Sequence, residues 1–164
     1  MNKQQIALKL VLDNLGLGVH VRSFEDRLML QKASYLAQVA GVNLGYYFNW
    51  YLRGPYCSAL ARDAFAISDE LEASSDESED WELDKRTISK VTRVRTLMAE
   101  CSVKNAPRKF ELVASIHFLV TRKDFSPKDA SILTSALRRF GKECTNREVV
   151  SATKGLAKYG FISD

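Results

Sequence analysis

One short stretch constrains the fold more than any other. From Tyr46 to Leu52 the chain reads Tyr-Tyr-Phe-Asn-Trp-Tyr-Leu, and Arg53, Gly54 and Pro55 follow. Residues two apart lie on one side of an extended chain, so Phe48, Trp50 and Leu52 share one face and Tyr47, Tyr51 and Arg53 the other. Proline has no N–H for a ladder and glycine tolerates sharp redirection, so Gly54-Pro55 is expected to stop the strand. Helical spacing resumes near Tyr56–Leu71. A further short edge strand is expected at Trp81-Glu82-Leu83. Almost everything else has helical periodicity, so this strand must be received by helices. The expected class is mainly α, a compact helical domain with a small β element.

The helices are bounded by recognisable punctuation. Ile6, Ala7, Leu10 and Val11 mark an amphipathic helix from Gln4 to Asn14, ended by Gly16 and Gly18. Ser23 with Asp26 three residues on predicts a capping box for a helix over Phe24–Ala40, whose apolar face carries Phe24, Leu28, Tyr35, Leu36 and Val39. A helix is expected over Asp84–Ser102. Another starts at Pro107, a residue suited to the first helical position, and is apolar over most of its circumference, so it should be central. Ser126-Pro127 predicts an N-cap and first helical residue for the next helix, which ends at Gly141. Thr145 with Glu148 caps the last one, which stops at Gly160. Tyr35, Leu36, Trp50, Ile116 and Leu119 are expected to share one core.

With 164 residues, residues 1–164 are read as one domain able to bury a core without metals or disulfides. Two lobes joined by the polar, acidic Ala73–Asp80 segment are expected within it. The three cysteines, Cys57, Cys101 and Cys144, are scattered, which points to buried thiols in a reducing compartment. No run approaches a membrane span, and the first residues lack the layout of a secretory signal, so no membrane association and a cytoplasmic location are expected.

Charge is unevenly distributed. Between Asp69 and Asp84 there are nine acidic side chains and no basic one, which leaves 11 acidic against 24 basic residues elsewhere. A basic body with an acidic segment suits an anionic partner whose approach the segment modulates; it equally suits a solvated loop beside an ordinary Lys/Arg-rich helical surface.

Motifs for catalysis are missing. The two histidines, His20 and His117, cannot build a multi-histidine metal centre; His117 falls on an apolar helical face and reads as a satisfied core histidine, His20 as a solvated loop residue. The acids cluster in a loop and not at the fixed separation that acid–base pairs need. No phosphate-binding glycine loop, nucleophile elbow or zincin motif occurs. The chain is therefore read as non-enzymatic, with no cofactor and no metal site. Two binding surfaces are candidates. The first is an outward aromatic patch of Tyr47, Tyr51 and Tyr56 with Arg53 as its polar anchor, since Tyr, Trp and Arg dominate interface hot spots. The second is the C-terminal helix pair, residues 127–159, where Arg138, Arg139 and Arg147 give the outline of a helix-turn-helix and a nucleic-acid-binding alternative.

The motif Leu30-Gln31-Lys32-Ala33-Ser34-Tyr35-Leu36-Ala37, then the aromatic strand, then Gly54-Pro55-Tyr56-Cys57-Ser58-Ala59-Leu60, resembles the YwgA-like proteins and the wider SocA-like (Panacea) antitoxin domains. Glu111–Leu119 is similar to their buried helix, and Thr145–Ile162 to their closing helix, so the resemblance spans nearly the whole chain. Cys57 departs from the residue expected at its position. The resemblance implies an antitoxin-like protein of prokaryotic or phage origin that binds a protein partner, a toxin or a protease system, with no catalytic residues to carry over. It does not identify the partner or the oligomeric state.

Overall fold

A computed structural model describes residues 1–163. The elements follow the chain as α1 (Lys3–Asn14), α2 (Phe24–Val39), β1 (Asn49–Tyr51), β2 (Gly54–Tyr56), α3 (Ser58–Glu72), α4 (Lys85–Glu100), α5 (Ala106–Arg122), α6 (Ala130–Arg139) and α7 (Asn146–Lys158). The fold is mainly α with a two-stranded antiparallel sheet. Except at α3, whose N-cap Cys57 makes no side-chain cap bond, side chains close the helix N-termini, where backbone N–H groups have no intrahelical partner. Asn2 with Gln5, Ser23 with Asp26 and Thr145 with Glu148 form capping boxes. Asp84, Asn105 and Asp129 cap α4, α5 and α6 singly.

The helix α5 is the axis of the molecule. Every residue from Phe110 to Leu119 is buried, and α2, α6, α7 and β2 all pack on it. One continuous core joins residues from both sides of the acidic segment, among them Leu12, Leu36, Ile67, Val94, Ile116, Leu137 and Leu156. Tyr35, Leu36, Ile116 and Leu119 belong to it; Trp50 is half-buried and packs against the Phe118 and Phe140 rings at 5.6 and 4.7 Å.

Three local expectations are corrected. Gly54-Pro55 does not end the β element; it is the return strand, with Trp50 paired to Pro55 and Tyr51 to Gly54 across a two-residue loop. The alternation therefore stops at the turn, and Leu52, expected beside Phe48 and Trp50, is 73% exposed. Trp81–Leu83 forms no strand. Lastly, α6 is capped by Asp129, whose carboxylate accepts from the Ile132 N–H, while Ser126 closes a turn onto the Lys128 N–H.

Upstream of β1, Val42, Leu44, Tyr46 and Phe48 point inward and Asn43, Tyr47 and Asn49 outward, the period of an extended chain. Among the described residues, no partner strand lies beside this stretch. Side chains supply its hydrogen bonds instead: the Gln38 amide donates to the Tyr46 carbonyl and accepts from the Tyr46 N–H, both at 2.8 Å, and Gln4 donates to the Leu44 carbonyl. The acidic segment is tied down near its start and at its middle. The Met1 ammonium pairs with Glu70 and Glu77, Lys9 with Asp76, and Ser78 is buried.

Candidate functional site

The hairpin has an inner and an outer face. On the inner face, the Gln31 side chain repeats the device of Gln38 one heptad earlier on α2. Its amide donates to the Cys57 carbonyl at 2.8 Å and accepts from the Cys57 N–H at 2.9 Å. Lys32, 1% exposed, donates from Nζ to the Pro55 carbonyl at 2.7 Å. Gly54 has φ +88°, and a Cβ there would stand 2.4 Å from Ser115 Oγ on α5. The hairpin thus lies backbone-close against α5 because residue 54 has no side chain. The Gln-Lys and Gly-Pro motifs are two halves of one buried clamp.

Deeper in the same interface, Tyr35 Oη lies 2.7 Å from His117 Nδ1. Burial pushes the Tyr35 phenol above its usual range and holds His117 down at about 4, against the pull of the Phe161 carbonyl. The phenol therefore donates and a neutral imidazole accepts. His117 is the satisfied core histidine expected from its position. Cys57, Cys101 and Cys144 are all buried free thiols.

The outer face borders an open cleft of about 290 Å³ between the hairpin, the start of α2 and the first turns of α3. Phe24, Leu28, Tyr51, Leu52, Tyr56 and Phe65 form its apolar walls. Several of these are exposed although large: Phe24 by 53% and Phe65 by 45%, in addition to Leu52 and Tyr51. The Tyr51 and Tyr56 rings stand 5.5 Å apart, and the Arg53 guanidinium lies over the Phe24 ring at 5.7 Å. Arg27, Lys32 and Arg53 also line the cleft, and among the described residues no carboxylate does.

A second depression shares Phe24, Leu28 and Arg53 with this cleft and reaches Arg108, Glu111 and Lys142. There Lys142, buried, donates to Glu111 Oε1 at 2.8 Å, with Arg53 Nη1 farther off at 3.8 Å. Lys142 Nζ also lies 5.5 Å from the Trp50 ring centroid. Burial, then repulsion from Lys142 and Arg53, lowers Lys32 to about 7, with Glu111 acting in the opposite direction.

Of the aromatic patch read from sequence, Tyr51, Arg53 and Tyr56 come together at the cleft; Tyr47 is exposed but does not line it. Phe24 and Phe65 were not recognised as wall residues. Phe24, expected on the apolar core face of α2, is the first residue of that helix and lies exposed. Val21, three residues before Phe24, is buried and lines the same cleft, as does Leu28 one turn after it.

The C-terminal basic residues Arg138, Arg139 and Arg147 lie on α6 and α7. Arg138 is spent on the Cys144 carbonyl, to which both Nε and Nη2 donate, at 3.1 and 2.9 Å. Arg139 and Arg147 are exposed on α6 and α7. Among the described residues, no three His, Cys, Asp or Glu side chains come together, and no helix is long and apolar enough to cross a membrane. Comparison of the chain with protein-family profiles, with curated proteins and with solved structures returns no match.

Proposed function

We propose that this protein is a non-enzymatic binding module that captures a partner protein through the outer face of its hairpin, in the manner of an antitoxin. The observation that carries the reading is the ring of large apolar side chains, Phe24, Tyr51, Leu52, Tyr56 and Phe65, left in solvent around a single cleft. Scattered exposed apolar residues are ordinary, but a contiguous group beside a concavity marks an interaction site. Aromatic rings give contact area at low entropic cost, and the guanidinium of Arg53 adds directional donors. The resemblance of the Gln-Lys and Gly-Pro-Tyr motifs to SocA-like antitoxin domains supports the same class of activity.

The test is capture from a lysate of the source organism by the tagged parent and by a Tyr51→Ala, Arg53→Gln double variant. The parent should retain a discrete partner that the variant releases, while the variant's circular dichroism and melting stay those of the parent. Equal retention by both proteins, or retention of nothing by either, refutes the reading.

A further inference from the structure

The chemistry of the cleft specifies what kind of segment fits it, an inference that rests on the partner-capture reading above. Its volume of about 290 Å³ lies at the low end for sites that enclose a whole small ligand, but it accommodates one or two large side chains. Its walls are aromatic and aliphatic, while every charged residue lining it is a cation: Arg27, Lys32 and Arg53. Two of these are committed. Arg27 Nη1 donates to the Val21 and Arg22 carbonyls, and Lys32 to that of Pro55.

Arg53 is different. It sits in the two-residue hairpin loop at the cleft mouth, stacked over Phe24. Its nearest carboxylate, Glu111, stands at 3.8 Å, beyond hydrogen-bond reach, and already accepts from Lys142 at 2.8 Å. The guanidinium is thus held in place by a ring and a hairpin, its side chain is 54% exposed, and it makes no hydrogen bond among the described residues. An arriving carboxylate would gain charge-assisted hydrogen bonds there. It would also ease the mutual repulsion among Arg53, Lys142 and Lys32, which together with burial holds Lys32 near 7.

We propose that the cleft receives a segment of the partner protein in which a bulky apolar side chain is flanked by Asp or Glu, the apolar side chain lodging between Phe24, Leu28, Tyr56 and Phe65 and a carboxylate pairing with Arg53. Tyr51 and Leu52 line the cleft yet are 59% and 73% exposed, apolar surface that an isolated small molecule would leave uncovered and a polypeptide would cover. Charge complementarity sets the direction of preference: acidic segments are attracted and basic ones repelled.

The test uses a random dodecapeptide display library selected on the immobilised full chain. Enriched sequences should place Phe, Trp or Leu beside Asp or Glu. A labelled peptide of that composition should lose about tenfold in affinity on Arg53→Gln, the scale of a charge-assisted hydrogen bond. It should also lose affinity on Phe65→Ser, which removes an exposed wall residue without touching the core, and should be unaffected by Arg139→Gln. Enrichment of neutral or basic peptides, or binding indifferent to Arg53, overturns the proposal while leaving partner capture intact. Amide resonances of the cleft shifted by decanoate but by no peptide would make the occupant a small amphiphile and also overturn it. No peptide selected and no partner captured from lysate removes both readings together.

Discussion

The two faces of the hairpin differ in everything except their position in the chain. Facing inward, Gly54, Pro55 and Cys57 offer backbone, and α2 and α5 answer with Gln31, Lys32 and Ser115 at contact distance. Facing outward, Tyr51, Leu52 and Arg53 offer side chains that meet the Phe24 and Tyr56 rings and, more distantly, the Glu111 carboxylate at 3.8 Å from Arg53. On the inner face Gln31, Lys32 and the backbone of Pro55 and Cys57 are all paired, while Ser115 Oγ is buried against Gly54 with no hydrogen-bond partner among the described residues. The outer face is unfinished. The contrast separates what holds the fold from the surface we propose for a partner, and it places Gln31, Lys32 and Gly54 on the structural side.

The sharpest way to break this contrast is to place a side chain where the inner face has none. Gly54→Ala combines a left-handed backbone with a Cβ 2.4 Å from Ser115 Oγ. It should cost about 4 kcal/mol, the sum of backbone strain and overpacking. Denaturant melts measure this, and Ser115→Gly added to the same chain should recover the overpacking part only. If Gly54→Ala alone melts with the parent, the hairpin does not lie against α5 as described.

A smaller loss should follow acidification. Burial holds His117 near 4 in the folded chain against its ordinary 6.5. Above pH 6.5 both states are neutral and the full stability is present. As pH falls from 6.5 toward 4, the unfolded chain takes up a proton that the folded chain refuses. The stability lost by pH 4 is about 3 kcal/mol from this group. The difference between parent and His117→Gln in melts across that range isolates it; a parallel pair of curves contradicts the buried, neutral imidazole.

The two glutamine clamps sharpen the comparison within the inner face. Gln31→Ala orphans a buried N–H and a buried carbonyl of Cys57 and should cost about 2 kcal/mol. Gln38→Ala frees the equivalent groups of Tyr46, which are partly open to water, and should cost about half as much. Equal losses would mean that burial does not distinguish the two clamps. The smallest effect on stability belongs to the outer face: Tyr51→Ala with Arg53→Gln should change it by about 0.5 kcal/mol or less while partner capture disappears. A large loss of stability there would show that the face is structural.

The helices were legible because their signals are local. Ser23 with Asp26, Thr145 with Glu148 and the apolar run of α5 declare themselves within a turn or two. The exceptions had local competitors. Asp129, three residues after Ser126, captured the cap of α6, and Pro55 entered a strand because β2 has only one neighbour and no N–H is demanded of it there. Tyr51, Arg53 and Tyr56 were legible as site residues from the surplus of rings at one turn. Phe24 and Phe65 were not, because their arrival at the same cleft depends on how α2 and α3 cross the hairpin, a long-range fact that periodicity does not encode. Nor could the sequence say that Gln31 and Lys32 serve the backbone: polar residues in a helical pattern look solvated until the chain that covers them is placed.

The spacing of the two glutamines on α2 bears on the order in which the chain assembles. Gln38 reaches a residue 8 positions away and Gln31 one 26 positions away. Closing the longer loop directly costs about 1 kcal/mol more in chain entropy than closing the shorter one. Once Gln38 has fastened Tyr46, however, only the stretch from 46 to 57 remains slack, and the second closure becomes nearly as short as the first. A formed α2 can therefore act as a zip for the segment that follows it, drawing in the extended chain and then the hairpin in sequence. The outer face would then be presented as soon as the second tooth engages, before the C-terminal helices have docked.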